Sequence, residues 1–146
     1  MPEPAPHFDD DPDDDGLAAV DRGLDDANRR AAPQLADVRT LGCVARDSDG
    51  TVIGGAVGRT WGDCAELQQL WVDARQRGRG LGTALLRRFE ARAAARGCTL
   101  VYCSSFSFQA PAFYRRRGYD ETHRIAGFAP GIEKFHYQRR LPPGGG

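Results

Sequence analysis

Between Arg75 and Glu90 the chain reads RQRGRGLGTALLRRFE, with Gly78, Gly80 and Gly82 followed at once by a helical pattern. Glycine disfavours both helix and strand interiors, so three at alternate positions mark a backbone that turns sharply or is closely approached. A strand passing through such a turn into a helix leaves main-chain N–H groups free at the positive end of the helix dipole. That arrangement suits a phosphate or diphosphate, to which Arg77 and Arg79 would add charge-assisted contacts. The alternative is an ordinary strand-to-helix turn on a basic surface. A P-loop is excluded, because GLGTALL lacks the Lys and the following Ser or Thr that it needs. So is the dinucleotide fingerprint, whose G-x-G-x-x-G opens the first crossover of a parallel sheet. Here the pattern is G-x-G-x-G and three antiparallel strands precede it.

Those strands follow from the residues upstream. Leu17, Val20 and Leu24 recur at helical spacing and predict an amphipathic helix from Gly16 to about Ala31, interrupted near Gly23 and ended by Pro33. Val38–Arg46 and Val52–Gly58 read as a hairpin about the DSDG turn, and Cys64–Val72 as a third strand. After the glycines a helix from Leu81 to Arg96 buries Leu81, Leu85 and Phe89, with Gly97 as its C-terminal cap. CTLVYCSS, from Cys98, reads as a buried strand joined through that helix, which makes a parallel crossover. QAPAFYRRRG is a short helix, and YDETHRIAGF and EKFHYQRRL are two last strands about Pro130–Gly131. The pattern predicts one mixed α/β (α+β) domain over residues 16–141, flanked by a disordered acidic tail over 1–15 and a flexible 142–146.

Two segments together resemble a known family. LQQLWVDARQRGRGLGTALL is similar to the coenzyme A site of the GNAT N-acetyltransferases, with Arg77 at the leading position and Gly80 and Gly82 as the paired glycines. AFYRRRGY resembles the same family's aromatic-Tyr-x-x-x-Gly-aromatic segment. The resemblance implies the GNAT acyltransferase fold, in which the third strand and the strand after the helix splay apart to admit acetyl-CoA. It implies a seat for coenzyme A made from Leu70, Trp71, Val72, Arg77, Gly78, Arg79, Gly80, Leu81, Gly82, Thr83, Ser107 and Tyr114. Leu70 and Val72 would offer main-chain hydrogen bonds, and Ser107 stands where many members carry Asn.

The activity so implied is direct acetyl transfer to a primary amine, without a covalent enzyme intermediate. A backbone N–H, that of Val72, would polarise the thioester carbonyl. Tyr114 matches the general acid that protonates the departing thiolate, while its neighbour Phe113 packs. An alkyl amine near pKa 10 also needs a base. Glu66 on the third strand is the first candidate, sharing a face with Gln68; the alternative is a solvated strand carboxylate. His136 is the second candidate, and Asp63 reads as a turn residue. SSFSFQAPAFYRRRGY followed by FAPG resembles a subgroup of small single-domain bacterial members, some linked to antibiotic or other small amines. A protein N-terminus or lysine, or an acyl-CoA-binding module without turnover, are the alternatives.

Composition limits the other classes. Residues 1–15 carry seven of the twenty acids and no Lys or Arg, which leaves the rest of the chain with twenty bases against thirteen acids. A basic domain suits an anionic ligand. Nineteen of those bases are Arg, yet no helix-turn-helix or aromatic-interleaved basic strand appears, which argues against nucleic acid. No run of about 18 apolar residues is present, so no membrane partner is expected. The N-terminus lacks a signal-peptide pattern, so a cytoplasmic protein is expected; a homodimer is a separate expectation. Cys43, Cys64, Cys98 and Cys103 form no CxxC pair and read as reduced strand or core residues, with no metal site.

Overall fold

The computed structural model describes residues 1–142, so part of the predicted C-terminal tail, 143–146, lies outside the described residues. The chain divides into two compact units, Met1–Ala36 and the remainder from Asp37. In the first, residues 1–13 carry no helix or strand, and helix α1 spans Asp14–Ala31. It begins two residues before the predicted start because Asp13 caps it, its Oδ1 accepting from the Gly16 N–H at 2.9 Å. Asp14 and Asp15 then occupy the first turn, where the helix dipole favours acids. No break occurs at Gly23, and Pro33 opens a short 3₁₀ turn, Pro33–Leu35.

The second unit is a six-stranded mixed sheet with two helices, the predicted fold class. Strands β1 (Arg39–Arg46), β2 (Val52–Trp61) and β3 (Cys64–Val72) are antiparallel neighbours. Helix α2 (Leu81–Ala95) crosses to β4 (Leu100–Phe106), which runs parallel to β3. Helix α3 (Ala112–Arg116) leads to β5 (Asp120–Ala129) and β6 (Ile132–Arg140), in the order β1-β2-β3-β4-β6-β5. The core includes Leu41, Ala56, Ala65, Leu67, Val101 and Cys103 from the strands, Leu85, Leu86, Phe89 and Ala93 of α2, and the buried rings of Tyr119 and Tyr137. Gly97 ends α2 as expected, at φ +91°. Its N–H donates to the Ala94 carbonyl at 2.9 Å, and that of Cys98 to Ala93 at 3.0 Å, a Schellman cap.

Glu90 on α2 is 4% exposed, a burial that a carboxylate tolerates only when paired. It accepts from Tyr119 at 2.7 Å and from Arg87 at 2.7 Å, and it forms an ion pair with Arg139 of β6 at 3.1 Å. Glu90 thereby ties α2 to the last strand and to the residue after Gly118. Truncation would leave Tyr119 and Arg139 without their partner, so Glu90→Ala should lower the unfolding free energy by about 3 kcal/mol. Urea titration with an unchanged slope would show it.

One register shift shapes the functional region. Gly58 faces Leu67 and Val57 faces Gln69, so Gln68 is an extra residue in β3. Such a bulge bends its strand and increases its twist. The parallel pairing of β3 with β4 ends at the same place, Leu67 with Cys103, while β3 runs on to Val72 and β4 to Phe106. The two strands therefore splay, as the family resemblance implies.

Candidate active site

Two cavities open at the splay. One, about 530 Å³, is lined among others by Val44, Val57, Gln68, Gln69 and Ser104. The other, about 460 Å³, is lined by Val72, Arg77, Gly82, Phe108, Ala110 and Phe113. Leu70, Trp71, Gln109 and Tyr114 line both.

Along β3 the Asp73 N–H donates to Ile53 of β2 at 2.8 Å. Antiparallel pairing alternates, so the N–H and C=O of Leu70 and Val72 point the other way, to the splayed side. Consistently, the Val72 carbonyl accepts from Arg77 Nε at 3.3 Å. The Asp73 carboxylate caps the short 3₁₀ turn Ala74–Gln76 by accepting from the Arg75 N–H at 2.9 Å.

In the glycine turn, Gly78 and Gly80 both have φ +79°, a left-handed conformation that side chains disfavour. A Cβ at either would meet open space, so backbone conformation rather than crowding by the chain accounts for these two glycines. Gly82 differs: it lies inside α2, and a Cβ there would make ordinary contacts at 3.6 Å with Phe113 and Val72. The first N–H to find a carbonyl is that of Ala84, on Gly80 at 3.0 Å. From Gly78 through Thr83 the main-chain N–H groups donate to no described residue, and Gly80 gives no side-chain cap. Arg79 belongs to this row and Arg77 directly precedes it.

Tyr114 is 8% exposed, with its ring stacked on Tyr137 at 5.6 Å and edge-on to Phe113 and Tyr119. Its hydroxyl bonds to no described residue. Burial first, then Cys103 and Tyr137, pushes it well above the ordinary phenol range, so it holds its proton throughout neutral pH.

The other named residues are placed differently. Ser107 lines neither cavity; its Oγ accepts from the Glu133 N–H at 3.1 Å, and its N–H donates to the Glu133 carbonyl at 2.8 Å. Glu66 also lies outside both linings, paired with Arg59 at 2.8 Å and beside Tyr102. The bulge breaks the simple two-residue alternation, so Gln68 lines the larger cavity and Glu66 does not. His136 lines neither; it stacks on His123 at 4.0 Å, and burial, His123 and Lys134 lower its pKa. Asp63 sits in the β2–β3 turn, where its carbonyl accepts from the Thr99 N–H.

Two residues escaped the sequence reading. Gln109 lines both cavities, and Arg117 joins α3 to the start of α2. The Arg117 guanidinium lies 3.9 Å from the centre of the Phe113 ring, and its Nε donates to Thr83 Oγ1 at 2.8 Å. As the last of three consecutive arginines, Arg117 carries no sequence signal that separates it from its exposed neighbours.

Among the described residues no cluster of His, Cys, Asp or Glu is arranged to hold a metal, and no helix is long and apolar enough to cross a membrane. The four cysteines are free thiols, two of them buried.

Residues 8–119 match the acetyltransferase (GNAT) family. A blasticidin-S acetyltransferase of Streptomyces morookaense is 43% identical over 84 residues, 57% of this chain and 62% of the relative, so the chain spans less than two thirds of that protein. An acetyltransferase of Agrobacterium fabrum is 31% identical over 105 residues, 72% of this chain and 77% of the relative. The crystal structure of an acetyltransferase from Bacillus cereus superimposes with a TM-score of 0.85 at 26% identity, covering 92% of this chain and 98% of that one. With its splayed parallel strands and glycine turn, the chain belongs to the GNAT acetyltransferase family.

Proposed function

We propose that this protein transfers the acetyl group of acetyl-CoA directly to a primary amine of a small molecule. The observation that carries the reading is the row of undonated N–H groups, Gly78 to Thr83, at the foot of α2. It adjoins a cavity that also contains Tyr114 and the free edge of β3. The row would hold the diphosphate of coenzyme A, with Arg77 and Arg79 adding charge, and Leu70 and Val72 would bond the pantetheine arm. Acetyl-CoA supplies the acyl group as an activated thioester. The Val72 N–H would donate to the carbonyl oxygen as charge develops there, and Tyr114 would deliver its proton to the departing sulfur. The smaller cavity thus takes the acyl carrier and the larger one the acceptor. A small acceptor is supported by the relative named for blasticidin S.

The direct test is thiol release from acetyl-CoA across a panel of amines, with the acetylated product identified by mass. Coenzyme A that binds without any release would favour a module without turnover. Replacing Gly80 by Val should weaken coenzyme A binding at least tenfold, since a β-branched residue strains at φ +79° and pulls the N–H row out of line. Calorimetric titration reads this, and an unchanged affinity would remove the diphosphate account.

Glu66 lies outside both cavities but next to Leu67, the last residue of β3 paired with β4, and would take the amine's proton through a water relay, its ion pair with Arg59 yielding as it does. Glu66→Gln should then reduce kcat/KM about tenfold for alkyl amines, and much less for weakly basic amines that are already unprotonated. Equal loss on both kinds of acceptor would count against that role.

A further inference from the structure

The acyl group has to change hands where the two cavities meet, and among the described residues four line both: Leu70, Trp71, Gln109 and Tyr114. The Gln109 side-chain oxygen accepts from the Phe106 N–H at 2.8 Å, and its main-chain N–H donates to the Phe106 carbonyl at 2.8 Å. Because the Phe106 N–H can only donate, the amide must present Oε1 to it. The Nε2 group therefore faces the other way, with two hydrogens and no acceptor among the described residues. The next residue, Ala110, has φ +65°, a conformation that costs a non-glycine residue energy and that often accompanies a functional constraint. The Phe106 N–H thus holds one end of the Gln109 amide and leaves its Nε2 donor unbonded, on an exposed side chain that lines both cavities.

We infer that the Gln109 side-chain amide donates a hydrogen bond to the carbonyl oxygen of the acyl thioester at this junction, and so adds a second donor to the oxyanion site. The inference rests on the acetyl-transfer reading. The hold from Phe106 matters to the chemistry because a donor already fixed in place needs no reorganisation as charge builds on the oxygen.

Gln109→Glu keeps an oxygen for the Phe106 N–H and removes the Nε2 donor. Acetyl-CoA carrying a ¹³C=O label, bound without acceptor, should show a lowered carbonyl stretch in the wild type. In Gln109→Glu that lowering should shrink, while coenzyme A affinity stays within about threefold. The acceptor-saturated rate should fall on the order of a hundredfold. Gln109→Met, which keeps length but neither polar end, should behave alike. An unaltered carbonyl stretch together with a rate within a few-fold of wild type would overturn the inference. So would a fold lost in both variants, since Gln109 would then serve the turn alone. Wild-type protein that binds no acetyl-CoA would instead bring down the acetyl-transfer reading and this inference with it.

Discussion

Replacing Tyr114 by Phe should lower kcat about a hundredfold or more, while the affinity for coenzyme A stays within about twofold. The substitution removes one oxygen and nothing else. The ring keeps its stack on Tyr137 at 5.6 Å and its edge contacts with Phe113 and Tyr119. Because the hydroxyl bonds to no described residue, the fold should lose less than about 0.5 kcal/mol. A purely packing tyrosine would leave turnover untouched, so the rate separates the two roles. The wild-type pH profile gives a second reading. Burial raises the Tyr114 pKa above its ordinary 10.0, so the protonated acid persists below that value. No alkaline fall in kcat traceable to this residue should appear up to pH 10. Full activity in the Phe variant would end its assignment as the acid.

Gly58→Ala should be the most damaging single substitution in the sheet. A Cβ there would lie 1.8 Å from the Glu66 carbonyl oxygen and 2.9 Å from its carbon, a backbone clash that no rotamer relieves. The expected loss is more than about 3 kcal/mol of unfolding free energy. Coenzyme A binding should weaken with it, because the clash falls where β3 acquires its extra residue and leaves β4. Gly42→Ala on β1 is the control: its Cβ would meet Val57 at an ordinary 3.5 Å, so stability should stay within about 0.5 kcal/mol. Equal melting curves for both variants would show that the close approach at Gly58 is not what sets the bulge.

Much of the architecture was legible because it depends on local chemistry. Alternating strands, the DSDG turn, the helix after the glycines and the Gly97 cap all express preferences acting over a few residues; their bounds lie within two residues of the predicted ones, except that β2 runs three residues past its predicted end at Gly58. The start of α1 was missed for an equally local reason. Asp13 reads as one more acid in a charged tail until its carboxylate is seen to accept from the Gly16 N–H.

Chain order and residue type were enough to anticipate the mixed α/β fold class, and the resemblance of two motifs to one family implied the gathering of the glycine turn and Tyr114 near one splayed strand pair. They could not anticipate the bulge at Gln68, which comes from how β2 and β3 meet at Gly58 and which separates Glu66 from the cavities. Nor could they show Ser107 bonded to Glu133, Arg117 seated on Phe113, or Gln109 clamped to Phe106. Each of these depends on where a side chain lands relative to another segment. A period of two or 3.6 residues says which face a residue takes, but the partner across that face is chosen only when the strands pair and the helices pack.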